Sequence, residues 1–340
     1  MTLLVPARDP GPAGPIVELT PEDAGWAWTG LTVLRLAPGV PLTVRTGGSE
    51  AFVLPVGGGD VRVEVTPADA GEDADSGSVA FEPAVLELAG RPSVFARVTD
   101  FAYVGRDSEV VLTSQQGAEV ALPASRCDRR RAPRYGPAEE VPVEVRGSGN
   151  ATRQVTNFGV PGVWDHAEKL ICCELVTPDG NWSSYPPHKH DRSDPPPGQQ
   201  CVVNEEIYYY RIAGADGVTP SRTGVGYHRT YTGPEHAAAG LAELDELVEV
   251  RDHDTVLVPH GYHGPCIAAP GYPMYYLNVM AGPGDRALAF CDDPAHGWVR
   301  ESWDDQTPDP RCPVTSATGR ADGRVGARGP GRTGSEGITR

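Results

Sequence analysis

His188-Lys189-His190, Glu206, and the His263 that closes Val258-Pro259-His260-Gly261-Tyr262-His263 can offer three imidazoles and one carboxylate to a single divalent cation. On a β-strand, side chains at i and i+2 share a face, so His188 and His190 project together while Lys189 points away. Glu206 heads the run Glu206-Ile207-Tyr208-Tyr209-Tyr210-Arg211-Ile212, whose β-branched and aromatic residues predict a strand with Glu206, Tyr208 and Tyr210 on one face. His263 follows a Pro-x-Gly turn after the apolar run Thr255-Val256-Leu257-Val258. Taken singly, each piece has a plain alternative: an HxH on the surface, a solvated strand glutamate, a turn histidine bound to backbone. Their order along the chain is what favours a metal centre. All nine histidines lie between His166 and His296, so only the second half can hold it.

The elements that must position these residues read as strands. A length of 340 residues fits two domains of about 150 each. With 41 Gly, 34 Pro and little helical periodicity, the chain predicts an all-β class built of short strands and tight turns. His-x-His, then a strand-heading Glu, then Pro-x-Gly-x-His is the order of a two-part cupin pattern, and with the length it makes two β-barrel domains the expectation. Residues 1–122 form the first barrel, cupin-like and lacking metal ligands, with apolar runs at 31–36, 50–54, 61–65 and 93–98. Residues 123–150, dense in Arg, Pro and Gly, read as a connector, and 151–306 as the metal-binding barrel. The stretch 234–247 has helical spacing and would be an insertion between strands. Residues 307–340 carry almost no large apolar side chain and are expected to be a disordered tail. Two barrels of similar length suggest a duplication in which one copy has no ligands.

A net charge of -17 disfavours attraction to nucleic acid or anionic membranes and leaves a small-molecule partner as the expectation, with room for a homo-oligomer. No stretch has the apolar length of a membrane span, and the amino terminus lacks the blocks of a signal peptide, so a cytoplasmic location is expected. The seven cysteines include no CxxC and read as reduced thiols, with Cys172 and Cys173 on opposite faces of a strand. Arg126, Arg129, Arg130, Arg131 and Arg134 read as a solvated interdomain loop and receive no function.

The run 180–191, Gly-Asn-Trp-Ser-Ser-Tyr-Pro-Pro-His-Lys-His-Asp, followed by Glu205-Glu206-Ile207-Tyr208-Tyr209-Tyr210-Arg211 and by Tyr275-Tyr276-Leu277-Asn278-Val279-Met280-Ala281-Gly282, resembles the 5-deoxy-glucuronate isomerase family of bacterial myo-inositol catabolism. The likeness extends more loosely from about Glu50 to about Trp303. It implies a bicupin that holds zinc through His188, His190, Glu206 and His263, and an aldose-to-ketose isomerisation of 5-deoxy-D-glucuronate to 2-deoxy-5-keto-D-gluconate. The gap between His190 and Glu206 is longer than in an ordinary cupin motif and must contain a loop. Glu205 is therefore a rival ligand; Glu206 is preferred because it directly precedes Ile-Tyr and shares the face of the two tyrosines.

For the chemistry so implied, a divalent metal would polarise the carbonyl, with Zn2+ favoured by the donor set and Mn2+ or Fe2+ also acceptable to it. Glu205, Tyr208, Tyr210 and His228 are candidates for moving the proton. Arg229, Arg211 and Lys189 are candidates for the substrate carboxylate, arginine being favoured for its planar fork. Two other readings of the same residues are a cupin dioxygenase and a noncatalytic sugar-acid-binding bicupin.

Overall fold

The computed structural model describes residues 2–68, 81–192 and 200–320. Among them, the strands build two β-barrels, each from a large and a small sheet. In the first, a six-stranded sheet carrying Gly14–Leu19, Thr29–Leu36, Ala118–Arg126, Ser49–Gly58 and Phe101–Val104 faces a four-stranded sheet of Leu42–Arg45, Ser108–Thr113, Val61–Pro67 and Ala84–Leu88. In the second, a seven-stranded sheet carrying Arg153–Gly159, Ile171–Thr177, Met274–Ala281, Glu205–Ile212 and Thr255–Val258 faces a sheet of Asp245–Val250, Gly226–Tyr231, Tyr262–Ala268, His188–Lys189 and Cys291–Asp292. The all-β, two-barrel expectation holds.

Burial explains the patterns along the strands. In Val61–Pro67 the valines are buried while Arg62 and Glu64 are half exposed, the alternation of a sheet with one wet face. Glu205–Ile212 and Met274–Ala281 are buried almost throughout, because the two large sheets pack back to back. Ile207, Tyr209, Leu277 and Val279 join Phe52, Leu54, Phe95 and Phe101 in one core between the barrels. Tyr208, Tyr210, Tyr276 and Met280 project the other way, into the second barrel. The inter-barrel core is rich in edge-on ring pairs, with Phe52 5.3 Å from Phe158 and Phe101 4.8 Å from Trp164.

Two carboxylates lock this packing reciprocally. Glu50, fully buried in Ser49–Gly58, accepts hydrogen bonds from the backbone N–H groups of Glu168 (2.8 Å), Lys169 (2.6 Å) and Leu170 (2.8 Å), which lead into Ile171–Thr177 of the other barrel. Glu205 accepts from Ala27 (2.7 Å), Trp28 (2.9 Å) and Thr29 (2.9 Å), which lead into Thr29–Leu36. Each barrel thus supplies one acid to cap a loop of the other.

Several boundaries differ from those the sequence suggested. The connector 123–150 contains strands of both barrels: Ala118–Arg126 and Arg134–Gly136 belong to the first and Val143–Arg146 to the second. Leu4–Val5 pairs with Thr255–Val258, so the chain starts in the second barrel. The 93–98 run is a turn region, and in 234–247 the helix covers only Pro234–Ala238 before Asp245–Val250 continues as strand. Residues 307–320 are not a loose tail. Val314 is fully buried, the Gln154 side chain accepts from the N–H groups of Val314 (2.7 Å) and Thr315 (2.8 Å), and Thr315–Ser316 pairs with Gly319–Arg320. Cys312 and Ala317 pack against the same core as Val314, and Asp309 and Arg311 bond to Thr152, Asn181 and Asp179, so polar partners hold the segment where bulk hydrophobicity is missing; 321–340 lie outside the described residues. All seven cysteines are free, and Cys172 and Cys173 do face different cores. Among the described residues, no helix is long and apolar enough to cross a membrane.

Glu50→Ala leaves several buried N–H groups without an acceptor and is expected to cost about 2–4 kcal/mol, with Glu50→Gln intermediate. Urea midpoints of the two variants check this.

Candidate metal centre

Three strands and one strand end bring the donors together. Glu206 sits one residue into Glu205–Ile212 with its side chain in the second barrel, opposite Met280 on one side and Val258 on the other. His263 lies in Tyr262–Ala268, and His188 is its antiparallel partner. The Nε2 atoms of His190 and His263 stand 2.8 and 3.1 Å from the same Glu206 oxygen, Oε2. The donor atoms of His190, Glu206 and His263 all lie within 4.8 Å of one another and all three residues are buried; among the described residues this is the one such group.

The backbone decides which imidazole nitrogens are offered. Nδ1 of His190 is 2.8 Å from the Asn204 carbonyl, Nδ1 of His188 is 3.2 Å from that of Pro186, and Nδ1 of His263 is 3.4 Å from that of Gly261. A carbonyl only accepts, so each Nδ1 carries the hydrogen and each Nε2 presents a lone pair. Among the described residues, His263 Nε2 is buried with no polar neighbour in hydrogen-bond reach but that Glu206 oxygen. Lone pairs and a carboxylate oxygen converging in a dry space repel one another unless a cation lies between them, so the donor set fits a divalent metal. The Asn278 amide donates to the other Glu206 oxygen, Oε1, and so orients the carboxylate. His188 stands beside the group of three rather than inside it: its ring centroid is 4.5 Å from that of His263 and 4.7 Å from that of Phe290.

Charge follows the same geometry. Burial works against ionisation of Glu206, but the adjoining His190 and His263 rings reverse this and hold the carboxyl far below its usual range. Burial also disfavours a charged His190, yet the Glu206 carboxylate prevails and raises its pKa. Burial, then the field of His263, pushes His188 well below normal.

Tyr208, Tyr210 and His228 line the barrel interior as their strand parity requires. The Tyr208 ring lies 5.9 Å from that of His263 and 4.8 Å from that of His228, and its hydroxyl is 3.1 Å from Ser184 Oγ. Tyr210 Oη is 2.6 Å from His228 Nδ1. Tyr210 is held well above its ordinary pKa by burial and keeps its proton, with His228 Nδ1 and Cys266 Sγ (3.3 Å) both in reach of its hydroxyl; His228 Nε2 is buried and has no hydrogen-bond partner among the described residues. Burial, then the field of His263, draws the His228 pKa down to about 3.

Four sequence candidates are not in this site. Glu205 faces the first barrel, capping residues 27–29, which is the consequence of one step of strand parity. Arg211 is buried at the far end of the same strand, paired with Asp252 (2.9 Å) and Glu119 (3.0 Å). It lines the large cleft between the barrels, about 840 Å³, which contains none of the metal group. Arg229 points out of the barrel towards Asp245 and the Tyr231 ring. Lys189 is buried away from the donors, with Nζ 3.1 Å from Glu235 and 3.7 Å from Asp191. Of the loop expected between His190 and Glu206, 193–199 lies outside the described residues. Asn278 was missed, although a lone amide in the otherwise apolar and aromatic run 274–281 is a readable sign, since a buried amide needs partners.

The model of the KduI/IolB family matches residues 3–299. The chain belongs to this family. It is 35% identical over 302 residues to the 5-deoxy-glucuronate isomerase of Geobacillus kaustophilus, covering 88% of this chain and 96% of that one. The enzyme of the same name from Bacillus subtilis is 33% identical over 285 residues, covering 84% and 92%. The crystal structure of an IolB-like protein from Salmonella typhimurium LT2 superposes with a TM-score of 0.71 at 29% identity, covering 88% of this chain and all (100%) of that one. An oxalate decarboxylase from Lactobacillus farciminis, at 11% identity and a TM-score of 0.55 over 85% of this chain and 88% of its own, shares the bicupin fold.

Two outcomes follow. Asn278→Ala frees the carboxylate and should weaken metal binding by roughly 10- to 100-fold in a chelator competition. His228 has a folded pKa of about 3, below its unfolded value near 6.5, so the unfolded chain takes up a proton that the folded chain refuses. Stability should therefore fall as pH drops through that window, and His228→Gln should flatten the slope in urea titrations between pH 7 and 4.

Proposed function

We propose that the protein is a metal-dependent aldose–ketose isomerase converting 5-deoxy-D-glucuronate to 2-deoxy-5-keto-D-gluconate. The observation that carries the reading is the convergence of two imidazole Nε2 atoms and one carboxylate oxygen in a dry barrel, with every Nδ1 turned to a carbonyl. The family and the names of its relatives from Geobacillus kaustophilus and Bacillus subtilis point to the same reaction. His190, Glu206 and His263 hold the ion, and His188, whose Nδ1 is likewise engaged, brings its Nε2 as the fourth donor. Two or three imidazoles with one carboxylate suit zinc. When bound, the ion supplies Lewis acidity at the carbonyl and its neighbouring hydroxyl.

The chain's own groups position the substrate. His228, neutral at ordinary pH, faces the barrel interior beside the Tyr210 hydroxyl and is assigned a hydrogen bond to a substrate oxygen. Tyr208, beside His263 and kept protonated by burial, is assigned a hydrogen bond to the carbonyl oxygen, with Ser184 next to its hydroxyl. The buried aromatic walls exclude bulk water from the reacting carbons.

Glu206→Gln and His263→Ala should each lose bound metal and at least 100-fold in kcat/KM, whereas Glu205→Gln should keep its metal, as read by elemental analysis. Isomerisation should run undiminished under argon; a requirement for oxygen would replace this reading with that of a dioxygenase.

A further inference from the structure

The segment that carries His188 and His190 has a second face with charges of its own. Lys189 and Asp191 alternate with the two histidines, and both side chains are almost wholly buried, 5% and 8% exposed. Charges so placed need partners, and those of Asp191 come from two other segments of the chain. Its Oδ2 accepts the backbone N–H of Gly261 at 2.8 Å and lies 2.9 Å from His236 Nε2. Its Oδ1 faces Lys189 Nζ at 3.7 Å. That ammonium is also 3.1 Å from Glu235, 3.2 Å from His236 Nε2 and 4.9 Å from the centroid of the Tyr262 ring. None of these groups takes part in the chemistry proposed above.

Gly261 gives the contact its reach. Its φ is +87°, and a Cβ there would stand 2.7 Å from the Tyr231 carbonyl oxygen, so the turn keeps a form suited to glycine. The N–H of Gly261 goes to Asp191, and its carbonyl faces His263 Nδ1 at 3.4 Å. Asp191 directly follows His190, so one carboxylate joins the segment bearing one candidate donor to the turn bearing another. The rings of these two, His190 and His263, lie 4.8 Å apart between centroids. His236, 2% exposed in Pro234–Ala238, and Lys189 hold the carboxylate from behind. Two imidazoles that must meet at one Glu206 oxygen are thus spaced by a tie on the opposite face of the strand.

We propose that Asp191 is a positioning residue for the metal centre: bonded to Gly261 and backed by His236 and Lys189, it fixes the spacing of His190 and His263. The proposal rests on the metal-dependent reading above. It gives Lys189 a part other than binding of the substrate carboxylate.

The test uses the full chain, stripped of metal and reloaded with Zn2+ or Co2+, as wild type, Asp191→Ala, Asp191→Asn and Gln154→Ala. Gln154→Ala removes a buried acceptor at the Arg211 end of the large sheet and is the control for lost stability alone. Asp191→Ala should bind Zn2+ roughly 10- to 100-fold more weakly in a chelator competition, and the visible absorption of its Co2+ form should change, because the imidazoles no longer meet the ion at the same angles. Asp191→Asn, which keeps an oxygen for the Gly261 N–H, should recover part of both. Gln154→Ala should lower the thermal midpoint yet keep the wild-type Zn2+ affinity and Co2+ spectrum. Unchanged affinity and spectrum in Asp191→Ala overturn the proposal, and so does an equal loss in Gln154→Ala, which would mark the effect as one of stability. Should Asp191→Ala not fold, Asp191→Asn decides alone: weaker Zn2+ binding with a changed spectrum sustains the proposal, and wild-type values overturn it. None of these readouts needs turnover. A wild type that binds metal but leaves the sugar acid unconverted ends the isomerase reading and leaves the tie to be judged on affinity, whereas a wild type that binds neither ion ends both.

Discussion

Burial of both faces of Glu205–Ile212 is the constraint on which the rest of the molecule depends. Because side chains alternate, its odd-numbered residues serve the contact between barrels and its even-numbered residues serve the chamber. Glu205 caps a loop of the first barrel, Ile207 and Tyr209 fill the inter-barrel core, and Arg211 closes the far end with ion pairs. Glu206, Tyr208 and Tyr210 face the metal group and the interior. Adjacent glutamates therefore have unrelated tasks, and a slip of one residue in register would exchange them.

The reciprocal caps made by Glu50 and Glu205 show how far the two halves match. Each acid stands near the head of a central strand and accepts from consecutive N–H groups leading into a strand of the opposite barrel. The residue after Glu205 is Glu206; the residue after Glu50 is Ala51. The first barrel keeps the cap, has a methyl group where the second has its carboxylate, and carries no histidine, so it has no counterpart of the candidate donor set.

Much of this was legible in the residues. Strand parity separated Glu206 from Glu205 and Tyr208 from Tyr209, and the spacing of His188, His190 and His263 brought their rings together. What local patterns could not carry was the pairing of charges at long range. Arg211 and Lys189 looked available because Asp252, Glu119 and Glu235 are far away in sequence. The segment 307–320 was misread for a similar reason: its place in the fold comes from partners far away in sequence, Gln154, Thr152, Asn181 and Asp179, and not from its own composition.

Leu4–Val5 has a further consequence, for the order of assembly. These residues pair with Thr255–Val258, whose other neighbour is Glu205–Ile212. Closure of that edge of the large sheet is a contact of very long sequence separation, of the kind that slows folding because loop-closure entropy must be met before the pairing contributes. Until it forms, the strand that flanks Glu206 lacks its outer neighbour.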